Sequence, residues 1–138
     1  MNMLKLKYSR YQKRPMKGLY RNRNNKSSKI VYGSFGLKSL ENGFVSFKHL
    51  ESARKVLSRR LKKIAKVWIR VNPTLPVTAK VGDKRMGKGK GEVIARIFKI
   101  RCGMVLFEVE GTNSQAIVDL LKKAGKKIPI KMRVVGVK

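Results

Sequence analysis

Acidic side chains are what this chain has least of. Asp and Glu number 7 among 138 residues, against 35 Lys and Arg, so the formal net charge is +28. A body of this size carrying that charge repels itself, and a large anionic partner relieves the repulsion. Cysteine is reduced to Cys102, which excludes an internal disulfide and any multi-Cys metal site. His49 is the lone histidine, which removes His-based zinc sites. Long apolar runs are missing too. The longest, Met104-Val105-Leu106-Phe107, falls far short of the ~18–20 residues a spanning helix needs. Of the two large anionic surfaces, membrane and nucleic acid, the expectation is therefore nucleic acid. Met1-Asn2-Met3-Leu4-Lys5 opens no apolar stretch of the ~7–15 residues found in secretory signals. No amphipathic helical pattern of the transit-peptide kind holds across Lys5–Arg23 either. The expectation is a mature protein in a reducing compartment.

What is present is enough for a folded body. Apolar residues make up 42% of the chain, which argues against complete disorder, and the length suits one domain. The reading divides the chain into a basic N-terminal extension, residues 1–29, and one domain, residues 30–138. Lys5, Lys7, Arg10, Lys13, Arg14, Lys17, Arg21, Arg23, Lys26 and Lys29 follow one another with no acid between them, and Tyr8, Tyr11 and Tyr20 are spaced among them. Too few apolar residues are there to bury, so the arm is expected to be extended or disordered when free and to order only against a partner. Cations interleaved with aromatics suit phosphate contact combined with base stacking.

Within the domain, Ile30 to Val45 reads as a strand interrupted by glycines. The strongest helix follows. Ser46 is a plausible N-cap, and Leu50, Ala53, Leu57, Leu61 and Ile64 recur at three- and four-residue steps. Arg54, Lys55, Arg59, Lys62, Lys63 and Lys66 load the opposite face, and like charges at that spacing favour an anionic partner. Val67–Val71 and Pro76–Val81 read as strands. Glu92–Arg101 and Met104–Val109 read as an antiparallel hairpin turning at Cys102-Gly103. Thr112-Asn113-Ser114-Gln115 fits a capping box for a second helix, about Asn113 to Lys126, with Ala116, Ile117, Leu120, Leu121 and Ala124 inward. Pro129–Val137 closes as a strand. The expected fold is α+β: a mostly antiparallel sheet, two packed helices, an extended basic arm and a Gly/Lys-rich loop.

That loop is Gly82-Asp83-Lys84-Arg85-Met86-Gly87-Lys88-Gly89-Lys90-Gly91. Gly82 and Gly87-Lys88 have the spacing of a phosphate-binding loop, but Gly89 stands where that motif needs the hydroxyl that ligates Mg²⁺. Gly91 also leads into a strand-like segment where the motif requires a helix. Glycines instead let the backbone approach a phosphate chain and donate N–H groups to it, while Lys84, Arg85, Lys88 and Lys90 supply charge. Met86 is an apolar tip suited to a base or sugar. Composition alone fits equally a basic hairpin tip without a partner.

Arg85-Met86-Gly87-Lys88-Gly89-Lys90-Gly91, with Lys66-Val67-Trp68-Ile69-Arg70-Val71-Asn72-Pro73 and Pro76-Val77-Thr78 before it, resembles the signature of the bacterial-type large-subunit ribosomal protein L-sixteen family. Gly33-Ser34-Phe35-Gly36-Leu37-Lys38, Glu51-Ser52-Ala53-Arg54-Lys55 with Arg59, and Lys127-Ile128-Pro129-Ile130-Lys131 resemble further blocks of that family, in order. The resemblance runs from about Gly33 to Lys131. It implies an α+β body bound to large-subunit rRNA near the base of the central protuberance. It further implies a loop pointing toward the site where aminoacyl-tRNA is accommodated, and entry late in subunit assembly. Its N-terminal pattern is only loosely echoed by Lys5–Tyr11. Asn72 replaces a usual aromatic or apolar residue, and the Tyr-Trp pair common after the loop is absent.

The expected function is thus that of a structural constituent of the large ribosomal subunit, with no catalysis and no cofactor. RNA contacts are expected at Lys5, Lys7, Arg10, Lys13, Arg14, Lys17, Arg21, Arg23, Lys38, Arg54, Arg59, Lys62 and Arg70, and at loop residues Lys84, Arg85, Met86, Gly87, Lys88, Gly89, Lys90 and Gly91. Expected partners are large-subunit rRNA, tRNA and neighbouring ribosomal proteins, with no membrane and no homo-oligomer. Trp68 reads as a core residue. Glu108 and Glu110 alternate with Phe107 and Val109 and so read as the exposed face of a strand. His49 has no evident partner beyond Glu51. Lys outnumbers Arg 23 to 12, a bias toward AT-rich coding. With the departures from the family pattern, it makes a mitochondrially encoded copy the first expectation, a bacterial cytoplasm the second and a plastid the third. The competing reading is a histone-like or architectural DNA-binding protein.

Overall fold

In the computed structural model, residues 26–137 are described, except Lys63, Lys84, Lys88 and Asn113. Most of the arm and two of the loop's lysines therefore lie outside the described residues. After a 3-10 turn at Lys26–Ser28, the chain runs β1 (Phe35–Ser39), β2 (Gly43–Ser46), α1 (Phe47–Leu61), β3 (Ala65–Ile69), β4 (Leu75–Ala79), β5 (Glu92–Ile100), β6 (Val105–Gly111), α2 (Ser114–Gly125) and β7 (Met132–Gly136). Both sheets are antiparallel: a four-stranded one in the order β3-β6-β1-β7 and a three-stranded one in the order β2-β5-β4. The fold is α+β, with two sheets where the sequence suggested one.

α1 begins where expected. Ser46 holds extended backbone (φ −83°, ψ 161°), and its hydroxyl accepts from the His49 N–H at 3.4 Å while His49 Nδ1 accepts from the Ser46 N–H at 3.4 Å. A capping box of this kind satisfies two donors that a helix start otherwise leaves open. His49, unassigned from sequence, is thus part of the cap. Leu50, Ala53, Leu57 and Leu61 are buried, but the helix stops at Leu61, leaving Ile64 55% exposed and Lys66 in β3. In α2, Ile117, Leu120, Leu121 and Ala124 are buried, whereas Ala116 is exposed. The helices pack on each other; α2 also covers β7 and β1, and α1 reaches β3, β2 and β5. One core joins these helix faces to Leu37 of β1, Val45 of β2, Ile100 of β5 and Phe107 and Val109 of β6.

The expected β5–β6 hairpin does not form: β5 pairs with β2 and β4, and β6 with β1 and β3. The end of β1 intervenes at the turn. Ser39 N–H donates to the Met104 carbonyl at 2.8 Å, Gly103 N–H to the Ser39 carbonyl at 2.8 Å, and Ser39 Oγ to the Arg101 carbonyl at 2.6 Å. Asn42 Oδ1 accepts from the Cys102 N–H at 2.6 Å. Both connections, β1 to β2 and β5 to β6, change sheets at this one seam, as at the corners of orthogonally packed sheets. The expected strand from Ile30 to Val45 is likewise divided between the sheets, as β1 and β2. Residues 30–34 precede the ladder, and Ile30 lies against Gly36.

Candidate nucleic-acid interface

β4 and β5 are antiparallel neighbours, with Ala79 opposite Glu92, so residues 80–91 form the loop that closes their hairpin. Its base is tight. A Cβ on Gly91 would stand 2.3 Å from the Ala79 carbonyl oxygen, which only glycine avoids. Its far part stands clear of the body. Gly87 and Gly89 occupy the left-handed region (φ 100° and 85°), a Cβ on either would meet nothing within 4 Å, and Met86 is 99% exposed. Lys80 Nζ braces it from within, donating to the Gly87 carbonyl at 2.6 Å. Arg85 is exposed beside Met86, and Lys90 and Gly91 are half-buried nearer the base. A cation, an apolar tip and exposed glycine backbone are thus offered to solvent together.

Elsewhere the expected contact residues separate by role. Arg59 and Lys62 are exposed on and just after α1, and two basic residues, Arg59 and Arg60, lie in its last turn, where they complement the helix dipole. Arg54 is held by Glu51, through Nη2 at 2.6 Å and Nε at 3.0 Å. That bond, against a smaller desolvation effect, keeps the Glu51 carboxyl below the usual carboxylate range. Lys38 is half-buried in β1. Lys5, Lys7, Arg10, Lys13, Arg14, Lys17, Arg21, Arg23, Lys84 and Lys88 lie outside the described residues.

Arg70 turns inward. Its guanidinium pairs with Glu108, donates to the Lys29 carbonyl at 3.3 Å and lies 5.4 Å from the centre of the Tyr32 ring. Glu108, expected on an exposed face, is fully buried, while Glu110 is exposed. The reason is the segment that crosses β6. Tyr32 N–H donates to Glu108 Oε2 at 2.6 Å and Val31 N–H to the same oxygen at 3.2 Å. A buried carboxylate therefore fixes the root of the arm, with Arg70 balancing its charge.

Sequence reasoning also passed over basic residues at the far end of α2. Lys122, Lys123, Lys126 and Lys127 are all exposed, and Lys122 and Lys126, with Lys131, border an open groove of about 670 Å³ floored by Ile128, Pro129, Ile130 and Met132. The doublets Lys122-Lys123 and Lys126-Lys127 were the available signal.

These surfaces sit on a chain matched almost end to end by one family: the family model of ribosomal protein L16p/L10e aligns with residues 5–135. The chain belongs to the ribosomal protein L16p/L10e family. As a member it is a constituent of the large ribosomal subunit, from a family whose role is structural. In this L16p/L10e protein one sheet carries the loop between β4 and β5, and the other holds Val31 and Tyr32 through Glu108 of β6. Among the described residues, no helix is long and apolar enough to cross a membrane.

Proposed function

We propose that this L16p/L10e protein binds large-subunit rRNA through its arm, the cationic end of α1 and the basic end of α2, and holds loop 80–91 toward the path of incoming aminoacyl-tRNA. The observation that carries this reading is the loop: pinned at Gly91, free of the body at Gly82, Gly87 and Gly89, and tipped by Arg85 and a fully exposed Met86. Among the described residues, the outer part of the loop at Met86, Gly87 and Gly89 stands away from the core. The net charge of +28 supports an RNA partner, because phosphate neutralisation removes the self-repulsion. Folded RNA would be read through shape, 2′-hydroxyls and stacking more than through its grooves. Residues 30–138 act as one RNA-binding domain and residues 1–29 as its extension. Neighbouring ribosomal proteins complete the site, and the chain works as a single copy without catalysis or cofactor. The lysine bias and the departures from the family pattern support a mitochondrial ribosome, with a bacterial cytoplasm as the alternative.

The test is a titration on large-subunit rRNA fragments at fixed Mg²⁺. With about 10 phosphate contacts, affinity falls by roughly 10³–10⁵ between 50 and 200 mM monovalent salt. A flat response, or equal affinity for duplex DNA of the same length, overturns the reading. For the loop, replacing Arg85-Met86 by Gly-Gly should leave rRNA affinity nearly unchanged and slow aminoacyl-tRNA accommodation on reconstituted ribosomes. Co-migration with mitochondrial ribosomes on cell fractionation tests the compartment.

A further inference from the structure

The outward face of β3 carries an arrangement that neither the loop nor the cationic patches require. Lys66, Trp68 and Arg70 alternate along the strand and just past its end, while Val67 and Ile69 between them pack on the core. Tyr32 stacks on Trp68, ring centres 6.1 Å apart and planes inclined by 23°. Arg70 lies 5.4 Å from the centre of the Tyr32 ring, and Lys66 Nζ 5.9 Å from the centre of the Trp68 ring. The pair is not core: Tyr32 is 56% exposed and Trp68 is half-buried. It is also rigidly mounted. The Tyr32 N–H is held by buried Glu108 at 2.6 Å, and on its other side Gly33 lies so close to β6 that a Cβ would stand 2.7 Å from the Val109 carbonyl oxygen.

We propose that Tyr32 and Trp68 form a stacking platform for an unpaired RNA base, with exposed Lys66 beside it to meet a flanking phosphate, while Arg70, paired with Glu108, lies against the Tyr32 ring. This inference rests on the RNA-binding reading above and deepens it. An exposed aromatic ring flanked by cations matches a nucleotide in both its parts: π-face to base and positive charge to phosphate. Fixing the ring beforehand lowers the ordering cost of binding. Tyr32 lies just before the chain enters β1, a few residues after the basic segment that ends at Lys29.

The experiment uses the full chain, a single-stranded oligouridine and a base-free ribose-phosphate oligomer of equal length. Trp68 is the chain's one tryptophan, so its fluorescence reports on this surface. The expected result is quenching by oligouridine and none by the base-free oligomer. Tyr32→Phe should bind oligouridine as the parent does, and Tyr32→Ala about tenfold more weakly, with both variants binding the base-free oligomer unchanged. Equal quenching by the two oligomers, or an equal loss in Tyr32→Phe and Tyr32→Ala, overturns the platform while leaving RNA binding intact. Absence of salt-dependent binding to either oligomer and to rRNA overturns both readings together. Parent-protein quenching keeps the test decisive should Tyr32→Ala fold poorly.

Discussion

Arg70→Ala tests whether the pair with Glu108 holds the arm's root in place. Glu108 has no solvent exposure and the Arg70 side chain only 17%. Removing the guanidinium leaves a carboxylate in the interior with two backbone N–H groups as partners, Val31 at 3.2 Å and Tyr32 at 2.6 Å. Breaking a buried pair from one side costs about 3–5 kcal/mol, because the remaining charge is stranded. Domains of this size are stable by about 5–15 kcal/mol, so roughly a fifth or more of the total is at stake, and the thermal midpoint should fall by roughly 10–20 °C. Urea unfolding followed by circular dichroism, without RNA, measures it. Glu108→Gln keeps the shape and an acceptor for the Tyr32 N–H and should cost less, about 1–3 kcal/mol. The two substitutions together should cost less than their sum, the mark of direct coupling. Salt adds a second check, since a buried pair is weakly screened: the Arg70→Ala loss should be alike at low and high salt, although the parent gains stability as its self-repulsion is screened. A loss below about 1 kcal/mol, the value of an exposed pair, would refute the reasoning.

Three further outcomes follow from local geometry. Gly91→Ala should destabilise by about 1–3 kcal/mol, because the new Cβ meets the Ala79 carbonyl oxygen, whereas Gly82→Ala, with nothing within 4 Å, should be neutral; urea midpoints compare them. Ser46→Ala should cost about 0.5–1 kcal/mol in the same assay, the low part of the capping range, since both cap bonds are long at 3.4 Å. Glu51→Gln should cost about 0.3–0.5 kcal/mol at pH 7 through loss of the Arg54 pair. Because the Glu51 carboxyl is held low in the folded state by Arg54, that contribution is complete above its ordinary unfolded value and disappears as pH falls through the lower folded one. Parent and variant stabilities should therefore converge in acid.

Much of this is legible in the sequence because local pattern reports local structure. The three- and four-residue spacing of Leu50 to Leu61 marks α1 and its buried face, and alternation or β-branched runs mark the strands. The resemblance carried by the Gly/Lys loop points to the family. Pairing is less accessible. Residue pattern marks Glu92–Arg101 and Met104–Val109 as strands but does not name their neighbours, and a short turn between them suggests a hairpin that the end of β1 in fact prevents. Glu108 departs from expectation for a related cause: period two separates the faces of a strand, but the cover over one face comes from Val31 and Tyr32, seventy-six or more positions away. Ile64 continues the helical spacing beyond the point where the helix ends. Trp68, expected in the core, is half-buried, its ring stacked on the exposed Tyr32 and approached by Lys66 on the same face.

The sheet orders also set a sequence of events. β4 and β5 are joined by their own loop, whereas β1 must find β6 and then β7, Phe35 meeting Val109 and Gly136 across most of the chain. Closing short loops is fast and closing long ones is slow. We therefore expect the loop-bearing hairpin to gain protected amides first and β1 last, an order that pulsed hydrogen exchange during refolding would read; protection of β1 and β7 before β4 and β5 would contradict it. A nascent chain would then carry a formed, cationic hairpin while its larger sheet still lacks the inner strand that joins β6 to β7, ready to meet RNA before its own folding is complete.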